Sequence, residues 1–262
     1  MSTAANLDSS TLQYHIACRA GDVGRYVLLP GDPKRVPLIA QFFDTARQIA
    51  QHREYTTYSG TLDGVKVSVT STGIGGPSTA IAVEELAKIG ADTFIRVGTS
   101  GPMQPYVEPG DLVVVTGAVR DEGTALHYMP LAFPAIADLD VVDCLRAACT
   151  ARNVRYHIGL CHSKDSYYGE MQPERMPAAE QLAERWRAWV QGGVLCSEME
   201  AAALFVIAST LGKRAGGLML ALDQSGTVEA LCATAVEGLR QLIKRDAEQA
   251  QQMPSDGAAD RV

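Results

Sequence analysis

Short apolar, β-branched runs alternate along this chain with longer stretches whose apolar residues recur at helical spacing. Strands are predicted at 26–29, 65–70, 93–97, 111–116, 156–161 and 217–222, with a further plausible strand at 55–58. Helices are predicted at 34–42, 78–89, 140–152, 178–191, 200–211 and 229–249. Such alternation predicts an α/β fold in which helices cover a mostly parallel or mixed sheet. Pro33 behind Asp32, and Pro77-Ser78 behind Gly73, Gly75 and Gly76, read as two helix starts at strand-to-helix turns. Ligands of open α/β sheets gather at such turns, beyond the carboxyl ends of the strands. The polar stretch 251–262, with Pro254 and Gly257, reads as a frayed tail. No internal repeat is present, and the whole of 1–262 reads as a single domain.

Composition narrows the partners. The chain has 262 residues, 47% of them hydrophobic, enough for one large domain with a buried core. Its formal charge is -7 and no segment concentrates lysine and arginine, which argues against nucleic acid or an anionic membrane as partner. The six cysteines, Cys18, Cys144, Cys149, Cys161, Cys196 and Cys232, form no Cys-x-x-Cys pair, so they read as buried thiols of a reducing cytoplasm. Neither a signal segment nor an apolar run of membrane-spanning length is visible.

Chemistry concentrates at Arg96-Val97-Gly98-Thr99-Ser100-Gly101, directly after an apolar run. An arginine at the end of a buried strand, followed by a turn of hydroxyls and glycines, suits an oxyanion such as phosphate; the same residues also read as a plain chain reversal. Gly31-Asp32-Pro33-Lys34-Arg35 gives a second glycine turn with an arginine, and His52-Arg53-Glu54 a third basic site. Three arginines and a threonine around one point would neutralise a phosphate dianion and fix its direction of attack. Ser197-Glu198-Met199-Glu200 opens an apolar helix. Its acids read either as compensation of the helix dipole or as a sugar site, with Glu200 accepting from vicinal hydroxyls and Met199 packing on the ribose.

Together, Gly31-Asp32-Pro33-x-Arg35, His52-Arg53-Glu54, the run from Ser71 to Ser78, Ile95 to Gly101 and Glu198-Met199-Glu200 resemble the uridine phosphorylase branch of nucleoside phosphorylase family I. The likeness runs in order from about residue 15 to about residue 222. It implies a three-layer α/β sandwich and phosphorolysis: uridine and inorganic phosphate give uracil and ribose 1-phosphate. By that likeness Gly31, Arg35, Arg96 and Thr99 bind phosphate, with Arg53 reaching in from a neighbouring subunit. His15, also from the neighbour, joins Thr99, Met199 and Glu200 around the ribose. Ser100, Gly101, Tyr167, Gln172, Arg175 and Glu198 are implied at the base, with Arg96, Glu200 and Arg175 the catalytic set. Glu54, Ile74 and Ser78 match residues that hold a monovalent cation such as K+ at a dimer interface. No other cofactor is implied beyond phosphate as co-substrate. The assembly implied is a cytoplasmic homo-oligomer, a hexamer built as a trimer of dimers with shared sites.

The pattern departs from the family at the base. Glu170 stands where a glutamine is expected, with Gln172 two residues on, and the segment after Leu222 is short. An ionised glutamate cannot donate to a uracil carbonyl. Purine-specific relatives carry an aspartate where Asp223 stands, so a purine nucleoside phosphorylase is the alternative. A catalytically weak nucleoside-binding protein, or a nucleosidase using water, are the competing classes.

Overall fold

A computed structural model describes residues 11–222 and 228–252. In chain order the elements are β1 (Tyr26–Leu29), α1 (Arg35–Ala40), β2 (Thr45–His52), β3 (Tyr55–Leu62), β4 (Val65–Thr70), α2 (Gly76–Lys88) and β5 (Thr93–Pro102). There follow β6 (Leu112–Asp121), β7 (Ala135–Ile136), α3 (Leu139–Ala151), β8 (Tyr156–Lys164), α4 (Tyr167–Met171), α5 (Ala179–Gln191), β9 (Cys196–Glu198), α6 (Ala201–Thr210), β10 (Arg214–Ala221) and α7 (Glu229–Gln252).

The strands form one mixed sheet flanked by helices, in the order β10-β6-β8-β9-β5-β1-β4-β3-β2, with β7 paired to β6. Strand β10 also pairs with β5, so β5, β9, β8, β6 and β10 close on themselves. The most β-branched runs lie at the centre: β1 is buried along its whole length and pairs in parallel with both β4 and β5. By contrast β2, polar and largely exposed, is the outer strand, which is why its sequence carries no alternating signal. It joins β3 through a two-residue turn in which Arg53 has φ 53°. Helix α6 is apolar on all sides and packs against α2 and β10, with residues Ala201 through Ala208 buried.

Two local expectations change. The segment from Arg96 to Gly101 is strand, not turn: β5 runs on to Pro102 because Thr99 pairs with Leu220, Ser100 with Ala221 and Gly101 with Ser197. The expected Asp32 cap with a first-turn proline is also displaced. The Asp32 side chain accepts from Lys34 N at 2.9 Å, and α1 begins only at Arg35, after Pro33. Residues 223–227, with Asp223 and the shortened segment, lie outside the described residues, as do 1–10 and 253–262 of the expected tail. Helix α7 extends to Gln252. Among the described residues no helix is long and apolar enough to cross a membrane.

Glycine at position 98 is what lets β5 carry a long cation on its own surface. A Cβ there would stand 2.6 Å from the Met219 sulfur and 3.1 Å from Cζ of Arg96. The Gly98→Ala substitution is therefore expected to cost about 1–3 kcal/mol by overpacking and to push the Arg96 guanidinium aside. Denaturant unfolding together with phosphate titration checks this; unchanged midpoint and unchanged affinity would contradict it.

Candidate active site

Beyond the carboxyl ends of β1 and β5 lies a cleft of about 850 Å³ that gathers residues from distant parts of the chain. Its lining includes Gly31, Arg35, Arg96, Thr99, Ser100, Gly101, Tyr167, Glu198, Met199 and Glu200 of the sequence-predicted set, together with Glu54 and Ile74. The elements explain the convergence. In the parallel pair β1 and β5, β1 ends with Leu29 opposite Arg96 while β5 runs on, so the turn after β1 brings Gly31 beside the arginine. Antiparallel β9 then sets Ser197 opposite Gly101 and delivers the two glutamates that follow.

Arg96 is 5% exposed and is the electrostatic centre of the cleft. Its Nε donates to Glu198 Oε2 at 2.7 Å, and its Nη2 pairs with Glu200 Oε2. The remaining terminal nitrogen, Nη1, lies 4.0 Å from where a Cβ of Gly31 would stand, facing that residue's backbone. Arg35 joins this side: its Nη1 donates to the Val97 carbonyl at 3.2 Å, and burial and the Arg96 cation together press its pKa down. Arg35 and Arg96 thus bring two guanidinium groups, with donors suited to an oxyanion, to the same side of the cleft.

The two carboxylates differ sharply. Burial would raise Glu198, but Arg96, the Ser163 hydroxyl and the backbone N–H groups of Glu200 and Ala201 hold it below the usual range. Both its oxygens are engaged: Oε1 by Ser163 and Ala201 N, Oε2 by Arg96, Ala201 N and Glu200 N. Glu198 thus caps the start of α6 and aims Arg96. Glu200 goes the other way, raised by burial and, against the opposing Arg96 cation, by the neighbouring Glu198 charge. Its Oε1 accepts from Gly75 N at 2.7 Å, an orientation that the left-handed backbone of Gly75, φ 94°, makes available. Lone pairs remain on Glu200 for hydroxyl donors, and Met199 lines the cleft beside it.

At the other end, Tyr167 presents its ring edge-on to Tyr168 and is half exposed. Ser100 donates its hydroxyl to Leu220 O at 3.2 Å, so it is tied to β10. Two expected base residues are not in the cleft: Arg175 is exposed on the short 3-10 turn Pro173–Arg175 and donates to the Gln172 side chain. The physical reason is that α4 ends at Met171 and the chain then turns toward α5, carrying 172–175 outward. In their place Lys164 and Glu170 line the cleft. Lys164 Nζ lies 2.8 Å from both Glu170 Oε2 and Ser197 Oγ, and Ser197 donates to Glu170 Oε2. Although burial would raise Glu170, hydrogen bonds from His162, Lys164 and Ser197 hold it below the usual carboxylate range. Lys164 escaped sequence reasoning because it stands among polar residues, His162-Ser163 before it and Asp165-Ser166 after it, at the end of a strand.

His15 and Arg53 lie outside this chain's cleft but beside each other. His52 Nδ1 meets His15 O at 2.9 Å, Arg53 stacks over the Tyr14 ring at 5.7 Å, and Glu85 binds His15 Nδ1 at 2.6 Å. Ser78 donates to Ile74 O at 3.1 Å, and Glu54 and Ser78 flank Gly73, so a carboxylate, a carbonyl and a hydroxyl that suit a monovalent cation stand close together. Among the described residues no cluster of three His, Cys, Asp or Glu side chains suits a metal ion, and all six cysteines are free and buried.

A sequence profile of the Phosphorylase superfamily matches residues 25–253. The chain is 45% identical over 250 residues to a uridine phosphorylase of Treponema pallidum, covering 91% of this chain and 97% of that protein. It is 55% identical over 210 residues to a uridine phosphorylase of Thermococcus kodakarensis, 78% of this chain and 75% of the relative. A guanosine phosphorylase of Halorubrum lacusprofundi is 39% identical over 206 residues, 79% and 81% of the two chains. The superfamily match takes in every residue that lines the cleft, from Gly31 to Leu222, and the chain belongs to the phosphorylase superfamily.

Proposed function

We propose that this chain is a nucleoside phosphorylase that cleaves uridine with inorganic phosphate to give uracil and ribose 1-phosphate. The observation that carries the reading is the buried Arg96, clamped by two glutamates with one nitrogen turned toward Gly31. Breaking the N-glycosidic bond builds positive charge on the ribose ring. A phosphate held by Arg96, Arg35, Thr99 and the Gly31 backbone beneath C1′ stabilises that charge and then captures it. Glu200 accepts the vicinal ribose hydroxyls, Met199 packs on the sugar, and Tyr167 covers the base. The Treponema pallidum relative, matched over nearly its whole length, supports uridine as the nucleoside.

Within one chain the charges of Arg35 and Arg96 are cancelled by Glu198 and Glu200. A phosphate dianion therefore calls for more positive charge, and Arg53 of a neighbouring copy is its source in this proposal. That requires an oligomer with shared sites, a dimer at least and a hexamer in the family-like assembly. Glu54, Ile74 and Ser78 are proposed to hold a monovalent cation such as K+. The free, buried thiols support work in the cytoplasm.

Base release should rise from near zero with added phosphate, and ribose 1-phosphate should appear in equal amount. Full release without phosphate would instead make the protein a nucleosidase. Arg96→Lys keeps the charge but loses the fork, and is expected to lower kcat/KM for phosphate about 10²-fold; retention of wild-type values would remove Arg96 from the phosphate site.

Glu200 must be ionised to accept the ribose hydroxyls, and its raised pKa sets the sign of the pH effect. As pH falls through that pKa the acceptor is lost, so kcat/KM for uridine should decline on the acid side at a pH above the ordinary glutamate range. Glu200→Gln should lower kcat/KM and flatten that limb. An acid limb of the same position in the variant would assign it to another group.

A further inference from the structure

We propose that Lys164 and Glu170 together read the edge of the nucleobase, and that they select a base carrying a carbonyl beside a ring N–H. The assignment rests on the phosphorolysis reading above for the identity of the ligand, but its own argument is geometric. The pair sits at the rung where Gly101 faces Ser197, five residues along β5 from Arg96. The Arg96 guanidinium lies across Gly98, three residues before that rung, so at a strand rise of about 3.3 Å per residue roughly 10 Å of backbone separates the phosphate-side cation from the pair, room for a sugar between them. Glu170 Oε1 lies 4.0 Å from where a Cβ of Gly101 would stand, so the absence of a side chain at Gly101 keeps the approach to that oxygen open.

The two groups are held before any ligand arrives. Lys164 is 7% exposed, with two of its three N–H bonds directed at Glu170 Oε2 and Ser197 Oγ. Ser197 is in turn met by His162 Nδ1 at 3.0 Å, and His162 Nε2 by Asp121 at 3.0 Å, which anchors the pair to β6 and β8. This leaves one ammonium N–H and, among the described residues, the whole of Glu170 Oε1 without a protein partner. One donor and one acceptor side by side match the adjacent carbonyl and N–H of uracil or of a 6-oxopurine.

The chemistry of departure favours those bases over cytosine or adenine. When the bond to C1′ breaks, the electron pair goes to the base, and in a lactam base the charge reaches the carbonyl oxygen. An ammonium on that oxygen therefore binds the transition state more strongly than the substrate. Glu170, by accepting the N–H, excludes a base methylated there, because a methyl would cover that oxygen without donating to it.

The test is calorimetric titration, in the absence of turnover, of phosphate, of uridine and of N3-methyluridine into the wild type, Lys164→Met, Lys164→Gln, Glu170→Ala and Arg175→Ala. Phosphate affinity is expected within threefold of wild type in all five proteins, which also reports that they are folded. Uridine should bind the wild type at least tenfold more tightly than N3-methyluridine. It should weaken at least tenfold in Lys164→Met and recover in part in Lys164→Gln, and the two nucleosides should bind Glu170→Ala alike. Arg175→Ala should leave uridine affinity within threefold. Unchanged uridine binding in the Lys164 and Glu170 variants, a loss confined to Arg175→Ala, joint loss of phosphate and uridine, or no uridine binding to the wild type would each overturn the assignment. If the expected binding pattern appears but added phosphate yields no ribose 1-phosphate, phosphorolysis fails and the base assignment stands.

Discussion

Everything in the cleft depends on one buried cation and the two acids that hold it. Arg96 lies almost fully inside the protein, where a lone charge would cost several kcal/mol. Glu198 and Glu200 offset that cost by direct pairing, and their own remaining oxygens are tied to Ser163, to the start of α6 and to Gly75. The guanidinium consequently has one orientation, set by three elements far apart in sequence. A fixed donor aimed at an anion loses little on reaction, because no dipole has to turn.

The closed arrangement of β5, β9, β8, β6 and β10 serves the same end. By pairing with both β9 and β10, β5 stays regular through Gly98 and Thr99, and its polar residues are held at fixed register positions. Glycine is needed at position 98 because the arginine lies across it, and at position 101 the missing side chain leaves the route to Glu170 open. The cleft is thus built mainly on strand ends. Arg53, outside this chain's cleft, sits instead at a hairpin tip in a left-handed conformation that costs a non-glycine residue free energy.

Much of this was legible in the residues. Apolar runs gave the central strands to within a few positions, because burial on both faces leaves a clear signal, and helical spacing gave every helix but the five-residue α4. The arginines and glycines of the phosphate end were visible because their chemistry is local: Gly31 with Arg35, and Arg96 with Gly98 and Thr99. Strands β2, β7 and β9 were not visible, being polar, or two and three residues long, and fixed by pairing rather than by pattern. The reach of β5 to Pro102 was hidden for the same reason. The sequence places Glu198 beside Met199 and Glu200, while only the fold shows that its oxygens are already spoken for. Arg175 and Gln172 lie outside the cleft, because proximity in sequence to Tyr167 says nothing about the outward turn after Met171. Lys164 depends on a contact to Ser197 across 33 residues.

The central claim is that Arg96, turned by its two glutamates, presents a free nitrogen to a phosphate that attacks the sugar. A crystal structure of the protein soaked with phosphate and an uncleavable uridine analogue tests this most directly. The account predicts phosphate oxygen within hydrogen-bond distance of Arg96 Nη1, Arg35 and Thr99, with the phosphate beneath C1′ and the sugar hydroxyls on Glu200. A phosphate bound elsewhere, with no phosphate oxygen on Arg96 Nη1 and a water beneath C1′, would contradict it.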